Sequence, residues 1–170
     1  MKLSSTLEKA LNKQIGMEFA SAHAYLSMSA YFEREAWDGF AAWMAMQSGE
    51  ERIHAMKFYH YVLDREGSVK LPQIPAPDCE FKSPLDVFKA SLSQEREVSA
   101  SIYGLYKLAH DEADYATVSF LKWFVDEQVE EEKTVSDMID KLKRAGDNNE
   151  AMLMLDRLAG ERPTAPAGGE

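Results

Sequence analysis

Apolar residues recur along this chain at steps of three and four, the spacing that gathers side chains on one side of an α-helix, and they do so in four long runs. The first run is Leu7, Leu11, Ile15, Glu18, Ala22, Tyr25, Ser29 and Phe32. Ser5-Thr6-Leu7-Glu8 reads as its capping box, with Ser5 satisfying a free backbone N–H. A second strip on the same helix, Ala10, Met17, Ala24, Met28 and Tyr31, is wider than a lone bundle needs and predicts packing against another subunit. Phe40, Met44, Gln47, Glu51, His54, Phe58 and Tyr61 predict a second helix, capped by Asp38 and stopped at Gly67.

Ser83-Pro84-Leu85-Asp86 opens a third helix with a capping serine and a first-turn proline. Its stripe is Leu85, Phe88, Leu92, Glu95, Val98, Ile102 and Ala109. After a break at Asp111 to Asp114, a fourth helix carries Leu121, Phe124, Gln128, Glu131, Val135, Met138 and Leu142 and ends at Gly146. A short fifth, from Asn149 to Ala159 with Met152, Leu155 and Leu158 on one side and Gly160 after it, is too short to stand alone.

Between the second and third helices, Pro72, Pro75 and Pro77 exclude helix from Ser68 to Ser83. Extended, that stretch reaches roughly 50 Å, whereas a helix of about 28 residues is near 42 Å long. It therefore predicts a crossover along the bundle that leaves the second and third helices parallel. The expected architecture is all-α, one four-helix bundle with a short fifth helix over residues 1–160, followed by a tail over 161–170 with the composition of a disordered end.

Composition adds boundaries to that picture. With 170 residues and 45% hydrophobic content, the chain supports one core. No apolar run approaches the roughly twenty residues of a membrane span, and the N-terminus lacks an apolar signal region, which predicts a cytoplasmic protein with no membrane partner. The lone cysteine, Cys79, fits a reducing compartment and leaves no thiolate metal site. A formal charge of -10 without a basic stripe attracts cations and excludes nucleic acid as a partner.

The polar interruptions of the four stripes carry the chemistry. Glu18, Glu51, Glu95 and Glu131 each lie about eleven to sixteen residues into a helix, so a bundle brings all four to similar height. Ionised carboxylates gathered in an apolar core cost several kcal/mol each unless cations or protons compensate, and a metal pair compensates them. His54 follows Glu51 by one helical turn on the same face and adds an imidazole; carboxylates with one imidazole suit iron or manganese. Tyr25 and Gln128 become polar neighbours, while Trp123 falls off its stripe as a surface or interface aromatic. Glu50, Glu127 and Glu130 flank the centre and offer a further cation site, although an acidic cluster of this kind is ordinarily a solvated face. His23, His60 and His110 lie off the stripes as surface residues. A single Glu-x-x-His on a helix is common surface chemistry; four carboxylates in register are not.

These residues resemble the ferritin family, in particular its bacterial non-haem branch, from Glu18 through Glu127-Gln128-Val129-Glu130-Glu131. The resemblance implies a ferritin-like four-helix bundle assembled as a cage of twenty-four subunits. It implies iron storage with ferroxidase activity, in which iron(II) is oxidised by dioxygen or hydrogen peroxide at a di-iron site. By resemblance, Glu18, Glu51 and His54 ligate one iron, Glu51 bridges to a second held by Glu95 and Glu131, and Glu50, Glu127 and Glu130 match a third iron site. Tyr25, Gln128 and Trp123 resemble residues that the family places beside the pair. A second Glu-x-x-His is replaced by Gln128-Val129-Glu130-Glu131, unlike bacterioferritins and rubrerythrins, and Arg52 stands where a bacterioferritin has its haem-ligating methionine, so no haem is expected. Two alternatives stay open on the residues alone: a di-iron oxidase acting on a substrate, separable by a small oligomer without mineral, and a purely structural bundle, separable by absent iron binding.

Overall fold

The computed structural model describes residues 2–161, which form five helices: α1 (Ser5–Arg34), α2 (Asp38–Asp64), α3 (Pro84–Asp111), α4 (Tyr115–Ala145) and α5 (Asn149–Gly160). The remainder of the predicted tail lies outside the described residues. Side-chain pairs fix the helix directions. Tyr25 meets Ser91 while Gln14 meets Ser101, so α1 and α3 run antiparallel. Gln47 meets Glu131 while Arg65 meets Asp114, so α2 and α4 do the same. Since α1 and α2 form a tight hairpin, α2 and α3 are parallel, as the long connection predicts.

That connection runs along α1. Asn12 donates to the Ser68 carbonyl and accepts from the Lys70 N–H, Ser27 donates to the Asp78 carbonyl, and the Phe81 ring stands edge-on to Tyr31 at 5.3 Å. Met17 and Ala24 line a groove with Pro75, Ala76 and Pro77 of the connection. An extended polypeptide that has to cross a bundle covers part of the apolar surface on the way, and Met17 and Ala24 stay half-buried beside it.

The four stripes are buried as predicted, with Leu85, Leu92 and Tyr61 only half-buried. Their apolar members divide into two clusters. One contains Phe32, Phe40, Phe88 and Val135, the other Leu11, Ile15, Phe58, Ile102 and Phe124, and the polar interruptions lie between them. Several local predictions are corrected. The cap of α1 is Ser4, whose hydroxyl accepts from the Leu7 N–H at 3.1 Å, rather than Ser5. Asp38 is the first helical residue of α2, not its cap. The helix stops before Gly67, with Glu66 taking the left-handed turn (φ 57°) and the Gly67 N–H reaching back to the Val62 carbonyl. On α5, Leu158 is 50% exposed, and Ala159 is buried in its place while Met152 and Leu155 pack against the core as predicted. None of the helices among the described residues is long and apolar enough to cross a membrane.

Candidate metal centre

Glu18 of α1 and Glu51 and His54 of α2 come together in the middle of the bundle, each buried and each offering one ligand atom, all within 4.8 Å of one another. The hairpin accounts for this. Glu18 and Glu51 lie at comparable depth on antiparallel helices, and His54 is one turn beyond Glu51 on the same face, its Nδ1 3.4 Å from Glu51 Oε2. From the other hairpin, α3 contributes Glu95 and α4 contributes Gln128 and Glu131, all buried. Glu95 and Glu131 stand outside the three-residue cluster and are held by donors. The Tyr25 hydroxyl and the Gln128 amide donate to Glu95, and the Gln47 amide donates to Glu131 Oε2 at 2.8 Å. Their charges still reach Glu51.

Burial dominates the electrostatics. It pushes the Glu18 and Glu51 carboxyls well above the usual carboxylate range; the charge of Glu51 pushes Glu18 further, and that of Glu95 pushes Glu51 further. Glu95 is raised by burial too, against the pull of the Tyr25 and Gln128 hydrogen bonds. Tyr25 is fully buried and its phenol is raised well above its ordinary range, first by burial and then by Glu95, so it stays protonated as a donor. Glu18 Oε2 and Glu51 Oε2 are buried and have no hydrogen-bond partner among the described residues. Oxygen atoms in that condition are the donors that a cation would satisfy, and an oxygen-rich set with one imidazole fits iron.

The flank behaves similarly in part. Both carboxylate oxygens of Glu50 are buried without a hydrogen-bond partner among the described residues. Glu127 is half-buried and raised by burial, with Glu130 and Glu50 adding to the rise while His54 and Lys57 oppose it. Glu130 is exposed. Trp123, expected as a surface or interface aromatic, is half-buried. Its ring stands edge-on to His54 at 5.4 Å between centroids, and Lys57 Nζ lies over the ring, 4.3 Å from its centroid. His23, His60 and His110 are exposed, as predicted.

Periodicity did not find Gln14 as a member of this environment, nor a role for Gln47. Gln14 precedes Glu18 by four residues, one helical turn, and that spacing was the available signal. The serines that complete the network, Ser91, Ser99 and Ser101, carry no sequence signal of their own, since a small hydroxyl on a helix face is equally at home in solvent.

The family model of the ferritin-like domain matches residues 8–145. A bacterial non-heme ferritin of Staphylococcus epidermidis is 47% identical over 155 residues, covering 91% of this chain and 93% of that protein. Its Staphylococcus aureus counterpart is 44% identical over 160 residues, covering 94% and 96%. Among solved structures, an open pore ferritin from Archaeoglobus fulgidus superposes with a TM-score of 0.94 at 41% identity, covering 95% of this chain and all of that one. A humanized archaeal ferritin gives 0.95 at 41% identity over 97% of this chain. With a buried carboxylate–imidazole centre in an antiparallel bundle and relatives matched across nearly their whole length, the chain belongs to the ferritin family of iron-storage proteins.

Proposed function

We propose that this chain oxidises iron(II) at the mid-bundle centre and stores the iron(III) product as a mineral inside a homo-oligomeric cage of twenty-four copies in the cytoplasm. The observation that carries the reading is the cluster of Glu18, Glu51 and His54 with two buried carboxylate oxygens left without a hydrogen-bond partner among the described residues. Iron is the substrate. Glu18, Glu51 and His54 hold one iron(II), and Glu51 bridges to a second held by Glu95 and Glu131. Each ion loses one electron; dioxygen takes two electrons and two protons to become hydrogen peroxide, or peroxide takes two electrons and two protons to become water. Iron(III), the stronger Lewis acid, then hydrolyses with release of protons and leaves for the mineral.

The protein's part is geometry and charge. Buried carboxylates stabilise the higher charge of iron(III) more than that of iron(II), which favours oxidation. Tyr25 and Gln128 keep Glu95 oriented, and Gln47 keeps Glu131 oriented. Glu50, with Glu127 and Glu130, forms a third iron site beside the pair, and no haem takes part. The test is aerobic iron(II) addition to metal-free protein, followed by absorbance and by size-exclusion chromatography with iron quantitation. Rapid oxidation, iron co-eluting with a large assembly, and loss of the rapid phase in Glu51→Ala are expected. A small oligomer that retains no iron, or an unchanged initial rate in Glu51→Ala, defeats the reading.

A further inference from the structure

Every carboxylate of the centre apart from the bridging Glu51 is held by a buried glutamine: Gln14 donates to Glu18 Oε1 at 2.9 Å, Gln47 to Glu131 Oε2 at 2.8 Å, and Gln128 to Glu95 Oε2 at 3.3 Å. Gln14 is 0% exposed and is fixed at both ends, because the Ser101 hydroxyl of α3 donates to its Oε1. An amide has one donating and one accepting end. Turned over, Gln14 would press its carbonyl oxygen against the Glu18 carboxylate, whereas the Ser101 hydroxyl can donate or accept and would suit either end. Glu18 therefore selects the orientation that donates to it, and Ser101 anchors the far end of the amide in that orientation.

The two oxygens of Glu18 are thereby made unlike. Oε1 is occupied by Gln14, while Oε2 is buried with no hydrogen-bond partner among the described residues, in the cluster with Glu51 and His54. We propose that Gln14, locked by Ser101, is a positioning residue that restricts Glu18 to one-oxygen ligation through Oε2, keeping a coordination position of the first iron open. The inference rests on the metal-centre reading above. A carboxylate free to rotate would grip the ion with both oxygens and fill that position. With Oε1 held by an amide, the position remains for water or oxidant, the arrangement iron(II) centres need when a small molecule must reach the metal.

The relay also couples the two hairpins. Ser101 belongs to α3, Gln14 and Glu18 to α1, so the seating of α3 against α1 is transmitted to a ligand on α1 through one hydroxyl and one amide.

Anaerobic cobalt(II) titration of the metal-free assembled protein tests this, with calorimetry for affinity and visible absorption for coordination number, since cobalt(II) bands weaken as ligands are added. Gln14→Met keeps the volume and removes the donor. It is expected to weaken the tightest cobalt(II) site by about tenfold to a hundredfold, the usual cost of losing a group that orients a ligand, and to lower the visible absorption per bound ion. Ser101→Ala, which leaves the buried amide in place, is expected to move both readouts the same way by a smaller factor than Gln14→Met, whereas Ser101→Thr restores them. Wild-type affinity and spectrum in Ser101→Ala and in folded Gln14→Met overturn the proposal. Glu18→Ala separates the two levels: if it abolishes the tightest site while the Gln14 and Ser101 variants do nothing, positioning alone is wrong. If Glu18→Ala also binds normally, the metal-centre reading falls with it.

Discussion

Asp156 of α5 caps the first turn of α2, its Oδ1 accepting the Phe40 N–H at 2.8 Å. Trp37, at the cap position, offers that turn no side-chain hydrogen bond, so the carboxylate arrives from a helix more than a hundred residues downstream and meets the positive end of the α2 dipole. Gly39 permits the approach: a Cβ there would lie 1.7 Å from the Asp156 carbonyl oxygen. Asp156→Ala is expected to destabilise the docked α5 by about 1–2 kcal/mol, and Gly39→Ala to displace α5 outright. Limited proteolysis between α4 and α5 reads both, and protection equal to the wild type would contradict the assignment.

Glu51→Gln replaces a buried, raised carboxyl by a neutral group of the same shape. On the proposed function it removes the bridging carboxylate, and the rapid phase of iron oxidation is expected to disappear. The metal-free fold is expected to gain stability at any pH where the unfolded chain ionises Glu51, because the neutral amide carries no penalty for burying a charge. Calorimetric melting of the metal-free protein checks this; a lower melting temperature than the wild type would be inconsistent with the burial of Glu51.

The pH dependence follows from the same carboxyls. Glu18 and Glu51 have native values raised above the ordinary 4.5 of an unfolded chain, so the native state binds protons that the unfolded state releases. Their favourable contribution is complete below that value and is lost as pH rises through the raised native values. Metal-free wild type should therefore lose stability with rising pH relative to a Glu18→Gln, Glu51→Gln double variant, and a bound divalent cation should remove the difference by taking the place of the protons. Urea midpoints across the pH range decide it; parallel curves for the two metal-free proteins would refute it.

Three helix ends turn through a non-glycine residue in the left-handed region, Ala36, Glu66 and Ala113, at φ 59°, 57° and 54°. Ala113→Gly is exposed and touches no ligand, so relief of that conformation should raise stability by about 0.5–1 kcal/mol. Gly146, at φ 53° and ψ -132°, occupies backbone that a side chain strongly disfavours, and Gly146→Ala should cost about 1–3 kcal/mol. Opposite signs for these two exposed changes in one melting experiment are the expected outcome, and shifts of the same sign would refute it.

Much of the fold was legible because burial and periodicity are the same fact seen twice. A residue such as Glu18 or Glu95, polar on an otherwise apolar stripe, had to be buried once the helix formed, and the structure buries it. What escaped was set by contacts between distant segments. Asp156 lies on a solvent-like helix, and only the close passage of Gly39 turns it into a cap. Ser101 resembles any surface serine until α3 lies against Gln14. The course of the connection past Met17 and Ala24 escaped too, because nothing in the local pattern shows where an extended segment will lie.

The division of the centre's polar residues between hairpins has a mechanical consequence. Glu18, Glu51 and His54 belong to the α1–α2 hairpin, Glu95, Gln128 and Glu131 to α3–α4, and the crossover is the sole covalent link between the two halves. The centre is thus a rivet through a seam. Hydrogen bonds from Tyr25 to Glu95, from Gln47 to Glu131 and from Ser101 to Gln14 already cross that seam, so a bound ion would add to ties that hold the two halves in register.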